Sequence, residues 1–497
     1  MKRFLSRNYK SFRIAVLLLG ALFIFAAFNR PAGDVKVPEK SDVVIIGAGL
    51  SGLATAYNLK KAGISYHILE LTPRIGGRVR TVYYQRADGP ELYADSGMEE
   101  YWESNPAINF LWDLRLPIRH DFAASSIVLH GKLTTLDAGE DSVAFQKKIF
   151  SAAELKAFEA FRKTVEPILK TLKSVKPVPR ELLKLKDLSF ARWVRGRKLP
   201  GKVAEWIRIS IECEIGTSWE QIAALDGIAE FHIFMGKGEE SYRVVGGNEL
   251  LTGALAKTIG VERISVNKRV SRVVSASGNQ VDVYYADTAT NTSGVIRAHH
   301  VVSTIPIYRL SEVQFEPALS RKKLQAIESQ GYGAYFKAHV FVPAEASRFW
   351  TKNGVSFLPI LSDSALGVIY DGNPDQQTKT KIVSLLATGD QAEAFNMMPL
   401  DQVRAIIHTA FDKLWPGFSK EIQTIEFYRY HPRAIAAWPV GRSRFDELSE
   451  EIRRPENRVY LAGDFTEDSH SSGAFVSASR VAGQILAAEH KPAAKGN

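Results

Sequence analysis

Asp42-Val-Val-Ile-Ile-Gly47-Ala-Gly49-Leu-Ser-Gly52-Leu-Ala-Thr-Ala-Tyr-Asn-Leu-Lys-Lys-Ala-Gly63 decides how the rest of the chain is read. Asp42–Gly47 is short, β-branched and runs straight into glycine, the pattern of a buried strand. Leu53–Ala62 has helical spacing, and Gly63 stops it. Ser65–Leu71 is the next strand and carries Glu70 near its end. These pieces make one βαβ unit. A lone GxGxxG is a weak signal, but here it follows a strand, opens a helix and has an acid eighteen residues after Gly52. Gly47 permits the tight turn, Gly49 lets backbone approach a pyrophosphate, and Gly52 lets helix and strand pack closely. The helix N-terminus, with Leu50 and Ser51 in its first turn, offers N–H donors and partial positive charge. Glu70 is suited to accept from both hydroxyls of an adenosine ribose and disfavours a 2′-phosphate.

Just past the Glu70 strand lies Arg74-Ile-Gly76-Gly77-Arg78. Two more glycines bring the chain close to a phosphate, and an arginine offers bidentate anchoring. The stretch 143–235 is helical in pattern. Strand patterns return at 263–274 and 280–286, around a Ser277-Gly278-Asn279 turn, then at 300–305, 335–342, 382–387 and 458–463. Helical spacing recurs at 400–414 and 473–488. Because the strands at 41–71, 263–305 and 458–463 are far apart in sequence, the nucleotide domain is expected to be assembled from several pieces.

With 497 residues, 45% hydrophobic and 24% charged, the chain as a whole is not disordered, collagen-like or a multi-span membrane protein. Its net charge of +10 is concentrated at the front: residues 1–40 hold eight basic side chains against Asp34 and Glu39, leaving +4 on the remaining 457 residues. Nucleic acid is therefore discounted as a partner. Cys213 is the only cysteine, which excludes an intramolecular disulfide, a Cys-based zinc site and a CxxC pair. His299-His300 has no acidic partner at ligand spacing and reads as a solvated strand end, so no metal is expected. Met1–Arg13 carries five basic residues and no acid, and Ile14–Phe28 is uncharged and almost wholly apolar. This is the pattern of a signal anchor, or of a cleaved signal peptide. Fifteen residues at about 1.5 Å each reach roughly 22 Å of the ~30 Å bilayer core, a short span. As an anchor it would be a single-pass helix with the N-terminus cytoplasmic and the catalytic body on the far side; cleavage would export the body.

VVIIGAGLSGLATAYNLKKAG followed by ILELTPRIGGRVRT resembles the flavin-containing amine oxidase superfamily, the group with monoamine, polyamine and L-amino-acid oxidases. The likeness continues in the family's order over about residues 41–490. Tyr93-Ala-Asp95-Ser-Gly97 is similar to the segment that reaches the isoalloxazine, and Tyr242–Asn248 to a paired-glycine segment before a helix. Val270 falls where a backbone meets the adenine. Val302–Ile305 and Phe315–Leu319 resemble the exit from the flavin domain. Leu461-Ala-Gly463-Asp464 and Gly473-Ala474-Phe475, continuing to Arg480, resemble the C-terminal flavin segment. The resemblance implies an α/β fold: a discontinuous Rossmann-like FAD-binding domain (41–100, 241–308, 431–490) and an α+β substrate domain (101–240, 309–430), preceded by an N-terminal hydrophobic helix within 1–33. The cofactor contacts it implies are Gly47, Gly49, Leu50, Ser51, Gly52, Glu70, Arg74, Gly76, Gly77, Arg78, Gly97, Val270, Gly463, Asp464, Gly473, Ala474 and Phe475.

Three more positions match the family's chemistry. Lys337 sits where these enzymes carry the lysine that holds a water against flavin N5. Trp438 and His470 fall at the two walls of an aromatic cage that would hold a neutral amine over the flavin. There are departures too. Thr72 replaces a frequent arginine, Asp95-Ser96-Gly97 replaces a double glycine, and Ala437 stands where a cysteine would carry a thioether-linked flavin. The expectation is non-covalent FAD and an oxidase of an amine or amino-acid-like substrate, with dioxygen reduced to hydrogen peroxide. A desaturase or porphyrinogen-type oxidase of a lipophilic substrate, and a membrane-tethered flavin redox protein without oxidase activity, remain open beside it. The helical region shows no pair of residues legible as a carboxylate clamp, and oligomeric state is not written in the sequence.

Overall fold

The computed structural model describes residues 35–489 apart from 86–90, 122–124, 138 and 236–239. Its first organising element is an eight-stranded sheet centred on Lys40–Ile46 and Thr292–Ser303, which pair in parallel. Tyr66–Leu69 and then Ile264–Ser265 extend it in parallel on one side. On the other side Gln280–Asp287 and Lys268–Ala276 fold as antiparallel strands, and Val459–Leu461 joins Thr292–Ser303 at its far end. The long strand records both environments. Val295–Ala298, against the antiparallel hairpin, alternates exposed with buried; His300–Ser303, between parallel neighbours, is buried throughout. Gln314–Glu316, beyond the expected domain boundary at 308, pairs with Lys268–Ala276 and belongs to this sheet.

The helix Leu50–Lys61 covers one face of the sheet together with helices Glu249–Ile259 and Ser471–Glu489, through Leu53, Leu59, Leu255, Val481 and Ile485. Lys60 and Lys61 lie in its last turn, where cations complement the helix dipole. The strands arrive from 40–69, 264–316 and 459–461 because only their mutual pairing buries each of these short apolar runs.

A second, seven-stranded sheet is built around Tyr335–Pro343, flanked by Thr380–Thr388 and Thr424–Tyr428. Strand periodicity splits its residues between two faces. Phe336, Ala338, Val340 and Val342 pack toward the helix Leu400–Leu414 in an apolar core. Tyr335, Lys337 and His339 occupy the opposite face. Above this sheet lie the helices Ser142–Ile149, Ala152–Ser174, Gly201–Ile215 and Ala224–Glu230, joined in an aromatic core by Phe158, Phe161, Trp206 and Phe231.

Two expectations are corrected. Membrane placement of the catalytic body loses its support: no helix among the described residues is long and apolar enough to cross a membrane, and the hydrophobic segment within 1–33 lies outside the described residues. His300 is not solvated. It is buried, with Nε2 at 2.7 Å from Glu489 and Nδ1 at 3.1 Å from the Tyr460 hydroxyl, because the strand end lies beneath the C-terminal helix. Among the described residues no group of three or more His, Cys, Asp or Glu is placed to hold a metal.

Candidate active site

The glycines of the first turn bring three backbones together. Gly47 has φ +105°, and a Cβ there would meet Thr304 Oγ1 at 2.5 Å. A Cβ on Gly52 would lie 2.0 Å from the Gly47 carbonyl oxygen, so only glycine lets the helix start this close to the strand. Gly76 forms a parallel bridge with Gly49, and Gly77, at φ +58°, stands beside it with its would-be Cβ 3.3 Å from Gly49 Cα. The helix N-terminus at Gly49 has no side-chain cap and no acid in its first turn, leaving its N–H groups for an external anion. Glu70 Oε2 accepts from the Ala48 N–H at 2.8 Å, and Oε1 from the Thr72 N–H at 2.9 Å. The Lys268 N–H donates to the Glu70 carbonyl, which brings the start of the Val270 strand to the same edge. This is a cradle that fits the pyrophosphate and adenosine of FAD.

The arginines take other partners. Arg74 donates to the carbonyls of Ile75, Val79 and Gly77 and lies 3.5 Å from Glu249, so it braces the glycine loop rather than reaching out of it. Arg78 makes a fork on Asp464, at 2.7 and 2.6 Å, and donates to the Ala434 carbonyl. It thereby ties the first flavin segment to the last. Gly463 and Ser51 meet at Ser477, whose hydroxyl accepts from the Gly463 N–H and lies 3.3 Å from Ser51 Oγ. Gly473 leaves room for Asp468, which accepts from the Gly473 N–H at 2.8 Å. Ala474 is buried, and Phe475 turns its ring into the core against Phe110, at 4.7 Å between centroids. Leu50 likewise packs inward, so both contribute backbone alone to this edge.

Lys337 is fully buried, and all three of its N–H donors are occupied. They reach the carbonyls of Asp95 and Gly97, each at 2.7 Å, and Glu99 Oε1 at 2.6 Å. Ser384 donates to the same Glu99 oxygen, and Arg243 lies 3.6 Å from the other. Burial opposes ionisation of Glu99, but Lys337 and Arg243 outweigh it and hold the carboxyl below its usual range. Asp95 behaves oppositely: burial and the Glu99 charge push it up to about 7, although Thr81 and the Asn248 N–H both donate to it. His339 adds a further contact, with Nε2 at 3.1 Å from the Asp95 carbonyl and Nδ1 at 2.5 Å from the Tyr84 hydroxyl. The lysine expected to hold a water instead clamps the 95–97 backbone.

Trp438 is not a cage wall. Its ring is completely buried, Nε1 donates to Ser449 and the Arg444 guanidinium covers a face at 4.7 Å. The reason is local: Ile435–Ala437 pairs with Gly331–Gly333, and the next residue turns into the core against the helix Glu447–Arg453. His470 belongs to an ionic group at the edge of the cleft. Its Nε2 lies 2.8 Å from Glu230 and 3.5 Å from Glu214, while Arg444 pairs with Glu230 and Asp226. Burial alone would lower the imidazolium; Glu230 overrides it, with help from Glu214 and Asp468, and holds it up to about 10.

This raised value fixes a pH window. The folded protein binds the His470 proton more tightly than the unfolded chain, so the stabilisation is complete below pH 6.5 and is lost as pH rises through about 10. The thermal midpoint should fall over that range, and His470→Gln should flatten the fall. A wild-type midpoint unchanged between pH 6.5 and 9.5 would show that His470 is not held charged.

A cleft with about 890 Å³ of empty space, its open mouth included, lies between the helical layer and the second sheet. Phe145, Trp206, Phe234, Leu361 and Val368 wall it, and Glu100, Glu214 and Tyr370 supply polar groups. Cys213 lines it as well, buried and directed at the Ser362 carbonyl. Glu214 comes from the last turn of Gly201–Ile215, whose end is set by Gly216 in the left-handed region and by the Tyr335 hydroxyl donating to the Glu214 carbonyl at 2.6 Å. Sequence reading missed Glu99, Glu100, Glu214, Glu230 and Tyr370. The acid doublet directly after Gly97-Met98 was the one local signal; the others meet only through tertiary packing.

The model of the family described as flavin containing amine oxidoreductase matches residues 50–486. The chain belongs to that family and is an FAD-dependent oxidoreductase of the amine-oxidase type. It is 24% identical over 461 residues to an L-amino-acid oxidase of Vipera ammodytes ammodytes, covering 88% of this chain and 90% of that one. It is 22% identical to a probable flavin-containing monoamine oxidase A of Dictyostelium discoideum, covering 89% and 97%. In fold it is similar to putrescine oxidase bound to putrescine (TM-score 0.75, 20% identity, 90% and 99% covered). It is also similar to cyclohexylamine oxidase of Brevibacterium oxydans IH-35A (TM-score 0.74, 19% identity, 91% and 100% covered).

Proposed function

We propose that the protein oxidises the carbon–nitrogen bond of an amine or amino-acid-like substrate at the inner end of the cleft. The observation that carries this reading is Lys337 clamped to the Asp95 and Gly97 carbonyls, which fixes the segment expected to face the flavin ring beside residues that line the cleft. Bound FAD would supply the hydride acceptor for the carbon next to nitrogen and the route for the electrons to dioxygen, with hydrogen peroxide as the product. The chain supplies orientation and electrostatics. Gly47, Gly49, Gly52, Gly76 and Gly77 give the dinucleotide its cradle, and Glu70 and the Val270 strand take its adenosine end. The Arg78–Asp464 fork holds the flavin-facing segments in register. The aromatic walls exclude water and position the substrate's apolar part. Burial lowers the pKa of the Lys337 ammonium and its pairing with Glu99 opposes that; its charge would lie beside the segment expected to face the ring, where negative charge would develop.

The test is a visible spectrum of the purified protein before and after anaerobic addition of a panel of amines and L-amino acids. A flavin spectrum bleached by members of the panel, with peroxide released on admission of air, is the expected result. A flavin spectrum that none of them bleaches would overturn the amine reading and favour a lipophilic substrate.

A further inference from the structure

Loss of a hydride from carbon needs the lone pair of the neighbouring nitrogen, because that pair carries the positive charge left behind. The ammonium form, which prevails in neutral water, has no such pair, so a proton must leave first. The cleft holds a group placed to take it. Glu214 lines the cleft and keeps 19% of its side chain exposed, and its carboxylate makes no hydrogen bond to a described residue. Its backbone is fixed: Gly216 ends the helix in the left-handed region, the Tyr335 hydroxyl donates to the Glu214 carbonyl, and the Ala334 N–H donates to the Gly216 carbonyl at 2.7 Å. The strand that begins at Tyr335 carries Lys337, so Glu214 is tied to the residue that clamps the 95–97 segment. His470 Nε2 stands 3.5 Å from Glu214 but makes its short bond, 2.8 Å, to Glu230. The imidazolium therefore favours the ionised carboxylate without using up its oxygens. Burial raises the Glu214 carboxyl above its usual range, with His470 opposing the rise and Glu230 adding to it. That brings it nearer an amine and eases proton transfer between them. Tyr370 provides an independent observation. It lines the same cleft, is only 8% exposed, and its hydroxyl has no hydrogen-bond partner among the described residues while lying within electrostatic reach of Glu214. Tyr335 and Cys213 also lie within reach of Glu214, and burial holds both protonated. Glu100, the other acid of the lining, has a partner of its own.

We propose that Glu214 is the base that turns the bound ammonium into the free amine, with the Tyr370 hydroxyl oxygen accepting a second N–H of the same group. The inference rests on the oxidase reading and adds to it the residue that removes the proton. In this step one N–H bond breaks and one O–H bond forms, leaving a neutral amine beside a neutral carboxyl. The carbon next to nitrogen then gives up its hydrogen with both electrons to the flavin, and the nitrogen lone pair closes the C=N bond of a protonated imine. After the product leaves, the carboxyl returns its proton to water in the cleft. The size of the gain follows from the amine's own equilibrium: with a pKa of about 10.4, an alkylammonium is only about one part in 10³ free amine at pH 7.4. A base inside the cleft lets the whole ammonium pool react.

Two measurements on the holoenzyme test this. The first is the pH dependence of anaerobic flavin reduction by benzylamine, for which the wild-type rate should be nearly level from about pH 7 to about pH 9. Glu214→Gln should be about 10²–10³-fold slower at about pH 7.4 and should climb about tenfold per pH unit, since only the free amine in solution then reacts. Glu214→Asp, which keeps a carboxylate, should keep the level profile. A merely structural role would slow the reaction alike at every pH; that result, or a wild-type rate that itself climbs about tenfold per unit, overturns the proposal. The second is calorimetric binding of 2-phenylpropan-2-amine, which has no hydrogen on the carbon next to nitrogen, in two buffers of unlike ionisation heat. The wild type should bind it with no proton released to the buffer. Release of about one proton per amine bound by the wild type overturns the proposal, a result that needs no variant to fold. If benzylamine leaves the flavin oxidised, the oxidase reading is what fails, and the proton count then decides Glu214. Retention by the wild type with release by Glu214→Gln supports the assignment, and any other pattern overturns it.

Discussion

Lys337→Met should cost the folded protein about 3–5 kcal/mol, because removing one partner of a buried ion pair strands the other. Glu99 would keep only Arg243, at 3.6 Å, and Ser384, and the Asp95 and Gly97 carbonyls would each lose a donor at 2.7 Å. The signature is in the pair. Glu99→Gln added to Lys337→Met removes the stranded charge and should recover a large part of the loss, a coupling that independent sites do not show. Thermal unfolding of the two single variants and the double variant measures it; additive losses would remove the ion pair from the account. On the proposed reading the same substitution takes a cation away from the segment expected to face the ring, so reoxidation of the reduced enzyme by dioxygen should slow on the order of 10²-fold. Stopped-flow mixing with air-saturated buffer checks this, and an unchanged rate would confine Lys337 to a purely structural clamp.

Gly52→Ala is expected to abolish flavin retention. Its Cβ would stand 2.0 Å from the Gly47 carbonyl oxygen and 3.1 Å from the Gly47 carbonyl carbon, both rigid backbone, so the helix must move away from the strand. That movement displaces the N–H groups at Gly49 and opens the bridge to Gly76. Gly63→Ala is the control. Gly63 has φ +74° with nothing within 4 Å of its added Cβ, so alanine there carries only local backbone strain of about 1–2 kcal/mol. The ratio of flavin to protein absorbance in the purified variants separates the two: little or no flavin with alanine at 52, and flavin retained with alanine at 63. Equal flavin content in both would mean that the close approach at Gly52 does not govern the site.

Much of the fold was legible because its signals are local. Val43–Ile46 running into Gly47, the helix stopping at Gly63, the turn at Gly278 and the helix Leu400–Leu414 each follow from periodicity and steric rules acting over a few residues. Motif order then carried the family and its cofactor. The failures lie where a side chain's role depends on which face of an element is covered. Lys337 and Trp438 were assigned from their stations along the chain, yet one proved to be a clamp with no free donor and the other a core residue. His299-His300 looked solvated because Glu489 lies far away in sequence and only the C-terminal helix brings it over the strand end.

By itself, then, the sequence determined the nucleotide cradle, the discontinuous assembly of its sheet and the class of cofactor, since glycine sterics and strand burial need no distant partner. Only the tertiary structure decided the electrostatics. Glu99 meets Lys337, Glu230 meets His470 and Arg444, and Glu100 shares a cleft with Glu214 from segments more than a hundred residues apart. The charge state and direction of a buried group follow from its neighbours in space, and a one-dimensional pattern does not contain them.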